Sequence, residues 1–234
     1  YIRFIPLKKN LGFAAGNNIG IRAAKGKYVA LLNNDCFVDK NWLTELVKIV
    51  EKDKKIFAVT SKILITNNLK DTINPSKKLI QNAGSIVFQD GYGRDIGAVV
   101  SNHKQSYELD KGQYDKERQV YAVCGAACLF RKNVLKKIGY LDENFFFYYE
   151  DIEISERARF AGYKLMYAPK AEVYHLHAYS SDEWSPFFIY NAEKGRLLHV
   201  FYNFPISVFF KEYIRFTTEA LGRLFGVRGL HSVW

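Results

Sequence analysis

The chain has 234 residues, 48% of them hydrophobic and 25% charged, the proportions of a folded globular protein, which exclude a disordered or collagen-like chain. Its 34 basic against 24 acidic residues give a net charge of +10, which favours polyanionic partners such as phosphates, anionic lipid or nucleic acid. No helix-turn-helix pattern, zinc-finger spacing or RNP-type aromatic strand accompanies that charge, so nucleic acid is not expected as a partner. Cys36, Cys124 and Cys128 form an odd set without a C-x-x-C pair, which speaks against a disulfide scaffold or structural zinc and for buried thiols in a reducing compartment. With no signal-peptide pattern at the start and no apolar run long enough to span a bilayer, the expectation is a cytoplasmic protein, soluble or peripheral.

In chain order, residues 1–6 read as a short strand, and the domain is expected to lack an N-terminal portion before it. Residues 10–18, NLGFAAGNN, give a glycine-bearing turn into a helix with Ile19, Ala23 and Ala24 on one side and Gly26 as its stop. Residues 28–32, YVALL, are apolar enough for a strand buried on both faces, which completes a βαβ unit. That run stops in Asn33, Asn34 and Asp35, where an open α/β sheet collects its ligands. Asp39 then reads as the N-cap of a helix whose Leu43, Leu46, Val47 and Val50 recur at helical spacing, and Phe57 to Thr60 begins another strand. Residues 67–118 loosen into turns and short hairpins, the habit of a functional or mobile segment. Residues 120–130 return as a strand in which Gly125 permits close backbone approach, followed by a short helix over 133–138.

A second polar tip is denser than the first. Five aromatics at 145–149 precede Glu150, Asp151 and Glu153, which open a helix ending at Gly162 and followed by two short strands at 164–167 and 172–175. Carboxylates in a first helical turn are favoured by the macrodipole, so capping alone accounts for them; in a partly dry aromatic setting they are costly, and a functional role accounts for them as well.

Taken in order, residues 10–18, the LLNND of 31–35, Cys124-Gly125-Ala126-Ala127, the LDENFF and YEDIE runs of 141–153, and His175 resemble the family-two glycosyltransferases, most closely the rhamnosyltransferase-like branch, over roughly residues 1–182. The resemblance implies an α/β, Rossmann-like A-type glycosyltransferase sheet with flanking helices, with residues 1–182 as the catalytic domain and 183–234 as an amphipathic helical appendage. It implies inverting, metal-dependent transfer of a sugar, rhamnose among the candidates, from a nucleotide-diphosphate donor to a hydroxyl of a glycan or lipid-linked saccharide in cell-surface polysaccharide synthesis.

Carried onto this sequence, the resemblance makes Asp35 a ligand of Mg²⁺ or Mn²⁺, with Asn33 an amide where the family's D-x-D has an acid. Asn10, Gly12, Phe13, Gly16, Asn17, Asn33 and Asn34 fall on the donor side; for Gly12 and Gly16 a tight turn is an equal account. Gly125 and Ala126 fall beside the donor sugar, and Arg94 in a loop near the donor. Asp151 takes the place of the general base, with Glu150 and Glu153 orienting it or binding acceptor hydroxyls. His175 is a further metal ligand or a merely hydrogen-bonded strand-end histidine, with His177 able to substitute.

Beyond 183, aromatic and aliphatic clusters interleave with Lys194, Arg196, Lys211, Arg215, Arg223 and Arg228, a pattern of interfacial helices that equally fits a helical cover or a dimer contact. The membrane reading puts the protein at the cytoplasmic face of the inner membrane. The competing class is a non-catalytic nucleotide- or glycan-binding relative, or an inactive fragment, and Asn33 with the expected lack of a first strand is its main support.

Overall fold

The computed structural model describes residues 2–66, 78–101, 104–176 and 185–224. Helix α1 (Gly12–Ala23) leads to β1 (Tyr28–Leu32), β2 (Cys36–Val38), α2 (Trp42–Val50) and the long strand β3 (Ile56–Thr66). The stretch from 79 to 119 folds as β4 (Leu79–Asn82), β5 (Ser85–Val87), β6 (Gly93–Asp95), β7 (Ala98–Ser101), β8 (Lys104–Leu109) and β9 (Arg118–Gln119). Then come β10 (Ala127–Arg131), α3 (Lys132–Ile138), α4 (Glu150–Phe160), β11 (Lys164–Leu176), α5 (Pro186–Asn203) and α6 (Ile206–Leu224).

The main sheet runs β1-β10-β3-β4-β8-β7, with β11 alongside β3 and carrying β2 and β9. The expected α/β architecture is present, but β11 on β3 is a parallel pairing while β1–β10, β10–β3 and β3–β4 are antiparallel. Alternating side chains build one core on each face. Phe57, Leu64, Cys128, Phe130 and Leu165 pack on one side with Ile154 of α4. Ile56, Val59, Ile63, Leu129 and Val173 pack on the other with Trp42 and Leu46 of α2.

Several expectations change. Residues 2–6 form no strand, and Ile2 and Phe4 stand exposed. The first described element is therefore α1, and the βαβ unit expected over residues 1–32 does not form among the described residues. β1, an edge strand, is covered on one face only: Val29 and Leu31 are buried, while Ala30 and Leu32 are exposed.

The buried face of α1 is Ala14, Asn18 and Ile21, because the Asn18 amide is held by the 141–143 segment: its Nδ2 donates to the Leu141 carbonyl at 2.8 Å and its Oδ1 accepts the Leu141 N–H at 3.1 Å. The cap of α2 is Asn41 and not Asp39, although Asp39 Oδ1 accepts the Asn41 N–H at 2.8 Å to shape the entry. The two short strands expected near 164 and 172 are one strand with an irregularity between Ala168 and Glu172. The expected boundary at 182/183, and His177, lie outside the described residues.

α5 and α6 pack against the rest of the chain. Arg196 donates to the Asp90 carbonyl at 2.9 Å, the Tyr92 hydroxyl donates to Glu193 at 2.9 Å, and Lys194 donates to the Asn144 carbonyl at 3.1 Å.

Candidate active site

A cleft of about 1800 Å³ runs from the end of β1 to the inner face of α6. At one end, strand register brings together residues far apart in sequence. β2 pairs antiparallel with β11 so that His175 lies opposite Cys36, and the Leu176 N–H donates to the Asp35 carbonyl at 3.0 Å. That puts His175 Nε2 3.1 Å from Asp35 Oδ1, with His175 Nδ1 2.8 Å from Gln81 Oε1. Asp35, Cys36 and His175 each bring a ligand atom to within 4.8 Å of the others.

The donor set fits a divalent cation: the Asp35 carboxylate suits Mg²⁺ or Mn²⁺ and the imidazole offers a second donor. Gln81 then orients the ring from its other nitrogen, the usual role of an outer partner to a ligating histidine. Burial, and then the Asp35 charge, push the Cys36 thiol up to about 12, so it stays a neutral thiol at physiological pH and is the poorest ligand of the three.

The second tip is tied to the first through the turn before β10. The Asn33 N–H donates to the Ala126 carbonyl at 2.9 Å, and the Gly125 N–H donates to Asp151 Oδ2 at 2.9 Å. The Ile152 N–H reaches Asp151 Oδ1 at 2.8 Å, so both carboxylate oxygens are fixed. A Cβ on Gly125 would sit 3.2 Å from the Phe13 ring and 3.5 Å from Asp151 Oδ2, which is why a residue without a side chain serves there.

The entry to α4 is strained. Tyr148 and Tyr149 have φ of 69° and 71°, the non-glycine residues with positive φ among those described, a conformation costing on the order of 1–3 kcal/mol for each such residue. Packing holds it: Tyr149 Oη accepts the Gly93 N–H at 3.0 Å and donates to the Gly91 carbonyl at 3.2 Å, and the Tyr148 ring lies 5.0 Å from that of Phe188 on α5. The result directs Glu150 and Asp151 to the cleft.

Burial raises the Asp151 carboxyl above the usual carboxylate range, and burial with the Asp151 charge beside it raises Glu150 well above that range. Glu150 Oε2 is buried with no hydrogen-bond partner among the described residues.

A third carboxylate joins them that sequence reasoning missed. Asp95 on β6 lines the cleft and accepts the Ser85 hydroxyl at 2.8 Å, and Ser85 accepts from the Asn82 amide at 3.1 Å. Burial pushes Asp95 up to about 6, helped by the Asp151 charge. The one available signal was the Asn82-Ala83-Gly84 turn, which positions the β5–β6 hairpin; nothing local links it to Asp151.

Of the residues expected at the site, Phe13, Asn33, Asp35, Gly125, Ala126, Glu150, Asp151 and His175 line the cleft. Others do not. Glu153 is committed to Arg157, whose Nε donates to it at 2.9 Å and whose guanidinium also donates to the Ile138 and Tyr140 carbonyls. Asn10 Oδ1 accepts the Gly12 N–H at 2.9 Å and Asn17 donates to the Phe13 carbonyl at 2.9 Å. Gly12, with φ of +82°, is required where the Phe13 N–H meets the Phe146 carbonyl at 2.7 Å. Gly16 has open space around it and Asn34 is exposed. Arg94 is exposed at the cleft rim, its guanidinium 4.9 Å from the centre of the Phe88 ring. Cys124, half-buried, also lines the cleft, and burial pushes its thiol well up.

A sheet of this topology with paired polar tips at one cleft defines an A-type glycosyltransferase fold. The solved structure of GalNAc-T7 with UDP, GalNAc and Mn²⁺ matches 83% of this chain and 35% of that one with a TM-score of 0.58 at 17% identity. The model of glycosyltransferase like family 2 matches residues 1–196, and the chain belongs to that family. Among curated relatives, the low-salt glycan biosynthesis hexosyltransferase Agl10 of Haloferax volcanii is 26% identical over 164 residues, 68% of this chain and 46% of that protein. The poly-beta-1,6-N-acetyl-D-glucosamine synthase of Staphylococcus epidermidis is 28% identical over 169 residues, 72% of this chain and 35% of that protein. The chain thus spans less than half the length of these relatives.

Proposed function

We propose that the protein transfers a sugar from a nucleoside-diphosphate donor to a hydroxyl of a glycan or lipid-linked saccharide, with inversion and with the help of Mg²⁺ or Mn²⁺. The observation that carries this reading is the joining of the two tips: Asp35 with His175, and Asp151, are held to one turn by the Asn33–Ala126 and Gly125–Asp151 hydrogen bonds. Asp35 and His175 would hold the cation, which when bound neutralises charge on the leaving diphosphate. Phe13, Gly125 and Ala126 wall the donor side. Asp151 takes the proton of the acceptor hydroxyl as its oxygen bonds to the anomeric carbon and the bond from that carbon to the diphosphate oxygen breaks. Burial suits Asp151 to this, since a base of raised pKa pulls harder on the proton. Glu150, buried beside it with one oxygen unpartnered, accepts or donates a hydrogen bond to the acceptor.

The sequence resemblance supports three finer parts of the proposal: rhamnose as the sugar to try first, inversion, and work at the cytoplasmic face of a membrane on cell-surface polysaccharide. The test is release of nucleoside diphosphate from a panel of nucleotide sugars with Mn²⁺ or Mg²⁺, with inversion read from the anomeric configuration of the product. Loss of release in both Asp151→Asn and Asp35→Ala supports one joint site. A wild type that binds nucleotide but turns over no donor points instead to a non-catalytic binding relative, the reading that the uncharged Asn33 favours.

A further inference from the structure

α6 leaves an apolar stripe uncovered. Its cleft-facing side carries Glu212, Arg215 and Glu219 beside Val208, Phe216 and Ala220, with Lys211 at the flank, while its outward side carries Ile206, Phe210, Tyr213, Ile214 and Leu221, exposed by 55%, 57%, 50%, 60% and 47%. Those five recur at helical spacing and form one stripe along the helix. Phe201 and Tyr202 at the end of α5 extend the stripe around the corner, where Phe201 packs 5.1 Å from Phe209. A contiguous apolar surface of this kind marks a contact with something other than water.

Charge on the same hairpin is sorted as well. Its acids are turned in and paired: Glu193 with Arg196 at 3.0 Å, and Glu212 with Arg196 at 3.0 Å and with Arg215 at 2.8 Å. Glu219 lies partly covered, 3.9 Å from Arg215. The exposed charged side chains described on α5 and α6 are Lys194 and Lys211, both cationic. No helix among the described residues is long and apolar enough to cross a membrane, so an apolar stripe of this size would lie on a bilayer and not through it.

We infer that the outward face of the α5–α6 hairpin docks on an anionic lipid bilayer, with Phe210, Ile214 and their neighbours among the acyl chains at the headgroup boundary and the exposed Lys211, at the flank of that face, reaching toward lipid phosphates. Aromatic side chains favour that boundary, and each exposed lysine adds attraction to an anionic leaflet. The cleft opens on the other side of the same helix, so a lipid-linked acceptor would meet the site where its carrier enters the bilayer. This deepens the transferase reading, yet the docking itself needs no sugar, and either can fail alone.

The test is flotation of the full chain with vesicles of phosphatidylcholine, alone or mixed with phosphatidylglycerol, in the absence of any sugar donor. Binding is expected on the anionic vesicles, weakening as salt is raised. Phe210→Ser with Ile214→Ser should cut the bound fraction about ten-fold or more, since two exposed side chains lose their apolar burial, and should leave the circular-dichroism melt unchanged. If the double variant fails to fold, Ile214→Asn alone reads the same face. The inference is overturned if the variants float as well as the wild type, if the wild type does not float, or if light scattering shows a dimer that the double variant converts to monomer.

Discussion

The two tips of the cleft treat charge in opposite ways. At the first, Asp35 faces an imidazole 3.1 Å away and sits where a cation can reach it. At the second, Asp95, Glu150 and Asp151 gather with hydroxyl, amide and backbone N–H donors and no cation against them among the described residues, and burial raises all three. The first tip offers a carboxylate and an imidazole side by side to an incoming cation, whereas carboxyls enclosed without a cation gain proton affinity. On the proposed reading the same side-chain chemistry serves as a ligand at one end and a base at the other, and the difference lies in what surrounds it.

The largest expected effect separates those roles. Asp151→Asn should lower kcat by about 10²–10⁴-fold, the usual worth of a positioned base. Asp35→Ala should lower activity by roughly 10–100-fold, with part of the loss recovered at high Mn²⁺, as expected of a weakened metal site. Wild-type kcat/KM should fall as pH drops through a pKa above the usual carboxylate range, because Asp151 works ionised. That acid limb should persist in Asp35→Ala; its disappearance there would merge the two tips into one titrating unit.

Next in size is the support beneath the second tip. A Cβ at Gly195 would meet the Tyr148 carbonyl and Tyr149 Cβ, both at 3.0 Å. Gly195→Ala is therefore expected to destabilise by about 1–3 kcal/mol in urea unfolding and to lower kcat by moving the strained pair that directs Asp151. Glu153→Gln weakens the part-buried contact to Arg157 and should cost about 1.5–3 kcal/mol, while kcat per folded molecule stays at the wild-type value. A loss of kcat there matching that of Asp151→Asn would put Glu153 in the chemistry after all.

The smallest effect concerns Asp95. Its folded pKa, pushed up to about 6 from 3.8, means the native state holds the proton more tightly than the unfolded chain, so this group lowers stability as pH rises between those values. Asp95→Asn should accordingly melt roughly 2–4 °C above wild type at pH 7, with the gap closing toward pH 4. A gap that widens on acidification would show that Asp95 is held charged, and the contrast between the tips would weaken.

Local pattern determined a good deal. The apolar run ending at Asn33 to Asp35, the aromatics before Glu150, the helical spacing of α2 and the carboxylates and glycine that delimit α4 are short-range signals, written in side-chain type and period, and they located both tips. Tertiary structure alone decided how those tips meet. The β2–β11 register places His175 against Asp35 across 140 positions, a pairing no local period encodes. Gly125 and Ala126 lie in a turn, where a strand was expected through 120–130, and that turn lends an N–H to Asp151. Glu153 lies three residues from Glu150, yet a guanidinium anchored to two carbonyls turns it away from the cleft. Asp95 enters from a hairpin whose sequence signals only turns. Spacing along a chain sets which side chains share a face of one element; which elements then face each other is set by packing and strand register, and active-site chemistry is assembled at that second level.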